Sequence, residues 1–266
     1  MKKFQNYKVF FKMLCFSSTL LGVSLITTNA LSSCSPANEK KYIFDVDTGL
    51  DDARALYISL TNGIEIVGII CTGGNTTVEH SIKNTIWILK QLNRLDIPIY
   101  QGFSSNKTSD NYFGPYGFGN IDESMITDDD YKNVHTSEKE LDNFVKKYRN
   151  SIYVCTAPKT TIAKYLNYFD CIYSMGGTIY ATGNVYEPST GTYFEFNQWF
   201  DLNAYSELME SNHVISNVYL DQCFSVSKES AIALYDNEIM TTLITSQPSD
   251  DLFYADELVA FSILNN

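Results

Sequence analysis

The residues best suited to chemistry lie in a short acidic run near the start of the chain. Four carboxylates fall within eight residues, those of Asp45, Asp47, Asp51 and Asp52. Carboxylates so close together repel one another unless a cation lies among them. Oxygen ligands without a nearby cysteine or histidine favour calcium or magnesium over zinc. Asp51 and Asp52 could instead be acidic residues that stabilise a helix N-terminus, but that interpretation leaves Asp45 and Asp47 unexplained.

Alternating strands and helices are predicted around the acidic run. Apolar residues 42–44 form the end of a buried strand that leads into it, and a helix is predicted over 53–60. The patterns predict further strands at 64–71, 97–100, 152–156 and 171–175, and further helices at 78–92 and 159–167. This alternation indicates an α/β fold with a mainly parallel central sheet and flanking helices. Ligands bind beyond the carboxyl ends of the strands in such sheets, which is where the acidic run lies.

The acidic run resembles the DxDPGxDD motif of the inosine-uridine preferring nucleoside hydrolases, with Thr48 at the position of the proline. Blocks similar to this family follow in family order at residues 68–75, 154–158, 175–177, 183–184, 195–197 and 255–256. The resemblance implies a nucleoside-hydrolase-like domain over residues 41–266. Because the chain ends soon after Asp256, we expect that domain to be shortened at its C-terminus.

The resemblance also implies roles for individual residues. The implied calcium ligands are Asp47, Asp52, the main-chain carbonyl of Thr156, and Asp256. The implied ribose-binding residues are Asp51, Asn75, Asn184, Glu195 and Asn197. Asp47 would also accept a proton from the attacking water, whereas Asp45 is expected to support the loop by hydrogen bonding. The implied activity is calcium-dependent hydrolysis of the N-glycosidic bond of ribonucleosides, which releases ribose and free base for purine and pyrimidine salvage.

Taken singly, these residues have simpler interpretations. Asn75 and Asn184 each follow a glycine and could be turn residues. Residues 195–197 alternate polar and apolar side chains and could form an edge strand. Asp256 could be an acidic residue at a helix N-terminus. The functional interpretation therefore depends on the ordered series.

The base side of the expected site departs from the family. Ala255 stands where many relatives have a histidine that protonates the leaving base, and residues 113–119 replace a second, histidine-containing loop. We expect reduced activity from this loss. His80 is expected on the protein surface, and residues 185–194 are expected to be an insertion beside the ribose pocket. Replacement proton donors could come from His135, Tyr116, Tyr254 or another tyrosine.

Two other functions are compatible with parts of the pattern. A nucleoside- or ribose-binding surface lipoprotein that has lost turnover would keep the sugar-binding groups and lose the base-side acid, as Ala255 suggests. A haloacid-dehalogenase-type phosphatase also begins with Asp-x-Asp after a first strand. It expects threonine one position after Thr48, however, and gives no role to the later asparagine blocks.

The N-terminus has the pattern of an export signal. Four lysines precede an apolar stretch at 13–27 and small residues before Cys34. We predict a lipoprotein signal peptide over 1–33, lipidation of Cys34, a linker over 34–40 and an extracytoplasmic, membrane-anchored domain; an uncleaved anchor helix is the alternative. The remaining cysteines lack zinc-site spacing. A net charge of −12 argues against nucleic acid as a partner. The oligomeric state, a homo-oligomer included, stays open.

Overall fold

Eleven strands are found in the computed structural model, which describes residues 40–107 and 112–265. In chain order they are β1 (Lys41–Val46), β2 (Glu65–Cys71), β3 (Ile99–Gln101), β4 (Val134–His135), β5 (Ile152–Cys155), β6 (Cys171–Met175), β7 (Val185–Glu187), β8 (Thr192–Phe194), β9 (Val214–Val218), β10 (Phe224–Ser227) and β11 (Asp251–Tyr254). Seven of them form a parallel sheet in the order β4-β3-β2-β1-β5-β6-β9. The pairs β7-β8 and β10-β11 are antiparallel.

The helices connect these strands and cover the sheet. They are α1 (Leu50–Thr61), α2 (Val78–Gln91), α3 (Glu138–Lys147), α4 (Thr160–Tyr165), α5 (Phe196–Phe200), α6 (Leu202–Met209), α7 (Lys228–Tyr235), α8 (Glu238–Thr245) and α9 (Asp256–Leu264). Short 3-10 helices span Pro115–Gly117, Asp128–Tyr131, Leu166–Tyr168 and Leu220–Gln222. The first and last α-helices, α1 and α9, pack against each other, which brings the two ends of the domain together.

The central strands are buried on both faces. Ile43 and Phe44 of β1 are 0% and 1% exposed, and Ile69 and Ile70 of β2 are 0% exposed. Burial on both faces explains why these strands read as continuous apolar runs. The predicted α/β fold with its mainly parallel sheet and flanking helices is confirmed.

Several element boundaries differ from the sequence predictions. The helix predicted at 53–60 begins at Leu50, because the Asp52 carboxylate accepts the main-chain N–H of Gly49 at 2.9 Å and caps an earlier turn. The edge-strand interpretation of 195–197 is wrong, since Glu195 is the N-cap of α5. Residues 185–194, which we expect to be an insertion, fold as the β7-β8 hairpin.

The predicted signal peptide, Cys34 and residues 34–39 of the predicted linker lie outside the described residues. Within the ranges that the structure describes, no helix is long and apolar enough to cross a membrane.

Candidate active site

A cavity of about 340 Å³ opens where β1, β5 and β6 end. Its lining includes all nine predicted site residues: Asp47, Asp51, Asp52, Asn75, Thr156, Asn184, Glu195, Asn197 and Asp256. Their positions follow from the fold, because parallel strands present their carboxyl ends, and the loops that follow, at one edge of the sheet. The structure therefore brings together residues that are up to about two hundred positions apart in the chain.

Three carboxylates at the cavity lie close enough to share one cation. Asp51 and Asp52 come from the first turn of α1 and Asp256 from the first residue of α9, and their oxygens lie within 4.8 Å of one another. The two helix N-termini offset part of this negative charge. The trio differs from the predicted ligand set in one respect, since it contains Asp51 rather than Asp47.

Asp47 is held at the end of β1 by the loop that follows β2. Its Oδ2 accepts a hydrogen bond from the main-chain N–H of Asn75. Gly74 permits this close approach, because a Cβ at that position would lie 2.2 Å from Asp47 Oδ2. Asn75 in turn donates from Nδ2 to the Gly117 carbonyl at 3.2 Å. The loop around Gly117 is thereby tied to the acidic site.

Burial makes the clustered carboxylates poor acids. It raises the pKa of Asp47 to about 7, and the nearby charge of Asp51 adds to the rise, although the Asn75 N–H opposes it. Burial and the neighbouring Asp52 raise the pKa of Asp51 to about 7. Burial likewise raises the pKa of Asp52 and Asp256 well above the usual range, with further contributions from the surrounding aspartates. A divalent cation would favour the charged forms of all four, and an all-oxygen donor set suits a hard cation.

Thr156 joins the acidic trio to the opposite wall of the cavity. Its hydroxyl donates to Asp52 Oδ1 at 2.5 Å, while its main-chain carbonyl accepts from Asn197 Nδ2 at 2.7 Å. Asn197 also contacts the Met175 carbonyl at 3.3 Å. The amide of Asn197, predicted to bind sugar, therefore orients the carbonyl that the sequence predicted as a metal ligand.

Glu195 is held by backbone groups around the cavity. Its carboxylate accepts main-chain N–H groups of Gly177 at 2.7 Å, Asn197 at 2.9 Å and Gln198 at 3.0 Å. These bonds cap α5 and fix the side chain in a buried position. Asn184, by contrast, is exposed at the cavity. The sugar contacts predicted for these two residues stay predictions.

Asp45 lies behind the site and does not line the cavity. It accepts hydrogen bonds from the hydroxyls of Thr72 and Tyr153, the latter at 2.8 Å. Burial raises the pKa of Asp45 to about 6, although these hydroxyls lower it. This arrangement agrees with the supporting role expected for Asp45.

The described lining of the cavity contains Ala255 but no histidine. His80 stacks on Tyr116 at 4.2 Å between ring centroids. His135 stacks on Tyr100 and contacts Glu140 at 3.0 Å, beside a different pocket. The histidine considered as a replacement proton donor is therefore not at this cavity.

The two tyrosines named as candidate proton donors, Tyr116 and Tyr254, do not line the cavity either. Tyr116 is absent from the lining, and the hydroxyl of Tyr254 is buried against that of Tyr235 at 3.4 Å. Tyr112, which the sequence did not single out, lines the cavity and packs edge-on against Phe113. The other lining residues that sequence reasoning did not assign to the site are apolar: Phe113, Met175, Val185, Phe196, Leu220 and Phe253.

Sequence reasoning also missed the burial of two charged side chains near the site, those of Lys159 and Arg54. Lys159 is 0% exposed and donates to the carbonyls of Ala157 and Met175, both at 2.6 Å. Arg54 is 0% exposed and pairs with Glu257. A signal for Arg54 was available, because its neighbours four residues away on either side, Leu50 and Ile58, are apolar.

Comparison with known proteins agrees with this architecture. Residues 42–263 match the inosine-uridine preferring nucleoside hydrolase family. The chain belongs to that family. It is 27% identical over 213 residues to the pyrimidine-specific ribonucleoside hydrolase RihA of Escherichia coli, covering 74% of this chain and 64% of that protein.

Solved structures of similar fold include a purine-preferring ribonucleoside hydrolase from Gardnerella vaginalis and a plant nucleoside hydrolase. The first has 25% identity and a TM-score of 0.66, with 85% of this chain and 80% of that chain covered. The second has 19% identity and a TM-score of 0.72, with 85% and 79% covered.

Proposed function

We propose that this protein hydrolyses the N-glycosidic bond of ribonucleosides, releasing ribose and the free base, and that it requires calcium. The observation that carries this proposal is the convergence of nine predicted residues on one cavity with three carboxylates within 4.8 Å of one another. Buried carboxylates of this number are costly without a cation. Family membership supplies the reaction class.

The cation would be held by Asp52, Asp256 and the Thr156 carbonyl, with Asp47 or Asp51 completing the protein ligands. When bound, calcium would lower the pKa of a water molecule and orient ribose hydroxyls. Asp47 would accept the proton of the attacking water. Asn75, Asn184 and Glu195 would bind sugar oxygens, and the surrounding negative charge would stabilise the cationic character that develops on the ribose ring.

A second candidate function is capture of nucleosides or ribose without turnover. It is favoured by one observation, that Ala255 lines the cavity and no histidine is among the described lining residues. A general acid typically contributes ~10²–10⁴-fold to a rate. Loss of that acid reduces hydrolysis but leaves sugar binding intact.

Ribose release from a panel of nucleosides, measured with calcium and with a chelator, distinguishes these functions. We expect slow, chelator-sensitive hydrolysis. Binding of nucleosides by calorimetry with no ribose released would establish the capture function instead. Neither binding nor release would reject both.

We also propose that the protein is a lipoprotein anchored outside the cytoplasmic membrane through Cys34. The support is the lysine-rich start, the apolar stretch and the small residues before that cysteine. A diacylglyceryl group would supply the two chains that stable anchoring needs. Labelled glycerol should be incorporated into the wild type and not into Cys34→Ala; equal labelling of both would contradict the anchor.

A further inference from the structure

Arg54 and Glu257 form an ion pair inside the protein, directly behind the acidic trio. Both side chains are 0% exposed, and Arg54 Nε donates to Glu257 Oε1. Arg54 Nη1 donates to Gln247 Oε1 at 3.2 Å, and Arg54 Nη2 is buried without a hydrogen-bond partner. A buried ion pair with an unsatisfied donor is weak evidence for stability, because desolvation offsets the attraction. Its position suggests another role.

The pair joins the two helices that carry the trio. Arg54 lies two and three residues after Asp52 and Asp51 on α1, and Glu257 directly follows Asp256 on α9. Glu257 Oε2 also accepts the main-chain N–H of Ala255 at 3.2 Å. One carboxylate therefore contacts both Arg54 of α1 and the main chain of Ala255, and Asp256 lies between Ala255 and Glu257 in the sequence.

The charge of Arg54 acts on the same site. An arginine stays protonated at any pH at which the protein is folded, and this one faces Asp51 as well as Glu257. It is a fixed positive charge beside a group of carboxylates that repel one another. Geometry and charge thus both favour a close arrangement of Asp51, Asp52 and Asp256.

We propose that Arg54 and Glu257 are positioning residues for the cation site: their ion pair holds Asp256 against Asp51 and Asp52, so that the three carboxylates are arranged for a divalent cation before it binds. The inference rests on the proposed metal dependence and deepens it. Residues that orient metal ligands typically change metal affinity by about 10- to 100-fold when they are removed.

The test separates positioning from stability. In the double variant Arg54→Met/Glu257→Leu, apolar side chains of similar size replace the pair, a change that is often neutral or stabilising for folding. We expect its melting temperature in chelator to stay close to that of the wild type, and its calcium Kd by calorimetry to rise about 10- to 100-fold. Glu257→Gln is the second variant. Glutamine has a single acceptor oxygen, so it cannot accept from both Arg54 and the Ala255 N–H. We expect a smaller rise in the calcium Kd than in the double variant.

Leu141→Ala is the matched control for lost stability. Leu141 lies on α3, is 0% exposed in the apolar core and does not line the cavity. We expect this variant to melt at a lower temperature and to keep the calcium Kd of the wild type. All titrations are made at a temperature where circular dichroism shows each protein folded.

An unchanged calcium Kd in whichever of the two pair variants folds would overturn the positioning role. So would an equal rise in Kd for Leu141→Ala, because general loosening would then explain the effect. A wild-type protein that binds no divalent cation would overturn the inference together with the proposed metal dependence, and the wild-type titration alone identifies that case.

Discussion

The side-chain amide of Asn197 donates to the main-chain carbonyl of Thr156 at 2.7 Å. The same threonine donates from its hydroxyl to Asp52 at 2.5 Å. A residue on α5 is therefore connected through Thr156 to a carboxylate on α1, although the three lie in separate parts of the chain. The hydrogen bond from Asn197 thereby fixes the direction of the Thr156 main-chain carbonyl.

Removal of the Asn197 amide should weaken cation binding. We expect Asn197→Ala to raise the calcium Kd by about 10-fold or more, because the Thr156 carbonyl loses the donor that orients it. Titration calorimetry measures the change. Asn133→Ala is the control, since Asn133 makes the same kind of bond, to the Leu95 carbonyl at 2.6 Å, away from the cavity. An equal effect of both variants would contradict a specific role for Asn197.

The stability of the metal-free protein should fall as the pH rises. The pKa of Asp47 and of Asp51 is about 7 in the folded protein, against an ordinary value of 3.8. Between pH about 4 and 7 the folded state therefore binds more protons than the unfolded state, and the free energy of unfolding decreases with pH across that window. Melting temperatures in chelator at a series of pH values measure this slope.

Calcium should reverse that trend, because it competes with protons for the same oxygens. We expect the gain in melting temperature on adding calcium to be small near pH 5 and large near pH 8, as the carboxylates ionise above their raised pKa. Asp51→Asn removes one of the titrating groups and should flatten the metal-free slope. A gain independent of pH would show that the cation binds elsewhere.

Asp47 and Asp45 provide a contrast between chemistry and support. Asp47→Asn keeps an acceptor for the Asn75 N–H but loses the proton acceptor at the cavity, so we expect an activity loss of ~10²-fold or more with a folded protein. Asp45→Asn turns one acceptor into a donor facing the Thr72 and Tyr153 hydroxyls, so we expect lower stability, by about 1–3 kcal/mol. Ribose release and urea unfolding measure the two effects. The opposite assignment would follow if Asp45→Asn alone abolished turnover of the folded protein.

Sequence patterns predicted β1, β2, β3, β5 and β6 of the central sheet, because β1, β2, β5 and β6 are buried apolar runs bounded by polar loops. The two edge strands, β4 and β9, were not predicted, because they are mostly half-buried and lack such a run. The family resemblance implied the site residues, and among them Asp47, Asn75 and Thr156 follow β1, β2 and β5. The apolar neighbours of Arg54 indicated a buried helix face, but its ion-pair partner Glu257 and the Met175 carbonyl that accepts from Lys159 could not be identified from periodicity. The edge-strand alternative for residues 195–197 was wrong because Glu195 caps α5, and capping depends on a local turn rather than on periodicity.

The apolar residues that line the cavity could not be predicted from the sequence for a similar reason. Tyr112, Leu220 and Phe253 lie in three segments whose sequences carry no pattern that links them. The fold places them at one opening: Tyr112 lies between β3 and β4, Leu220 in the 3-10 helix after β9, and Phe253 in β11. Under the proposed function, we expect these side chains to contact the base.

The final prediction concerns the protonation of the leaving base. Ala255 lines the cavity next to Asp256, and the described lining offers no histidine to protonate a departing base. Hydrolysis of p-nitrophenyl riboside, whose leaving group needs no protonation, should therefore be measurable while inosine and uridine react slowly. The groups proposed for water attack, Asp47 and the acidic trio, are all present.

Introducing the acid tests the explanation directly. We expect Ala255→His to accelerate hydrolysis of inosine by ~10²-fold or more and to leave hydrolysis of the activated riboside nearly unchanged, because general-acid catalysis assists only a leaving group that needs a proton. Steady-state kcat/KM for both substrates measures the difference, and Ala255→Asn is the control for added side-chain volume. Equal acceleration of both substrates would point to a change in sugar binding, and no hydrolysis of either by the calcium-loaded wild type would favour the capture function.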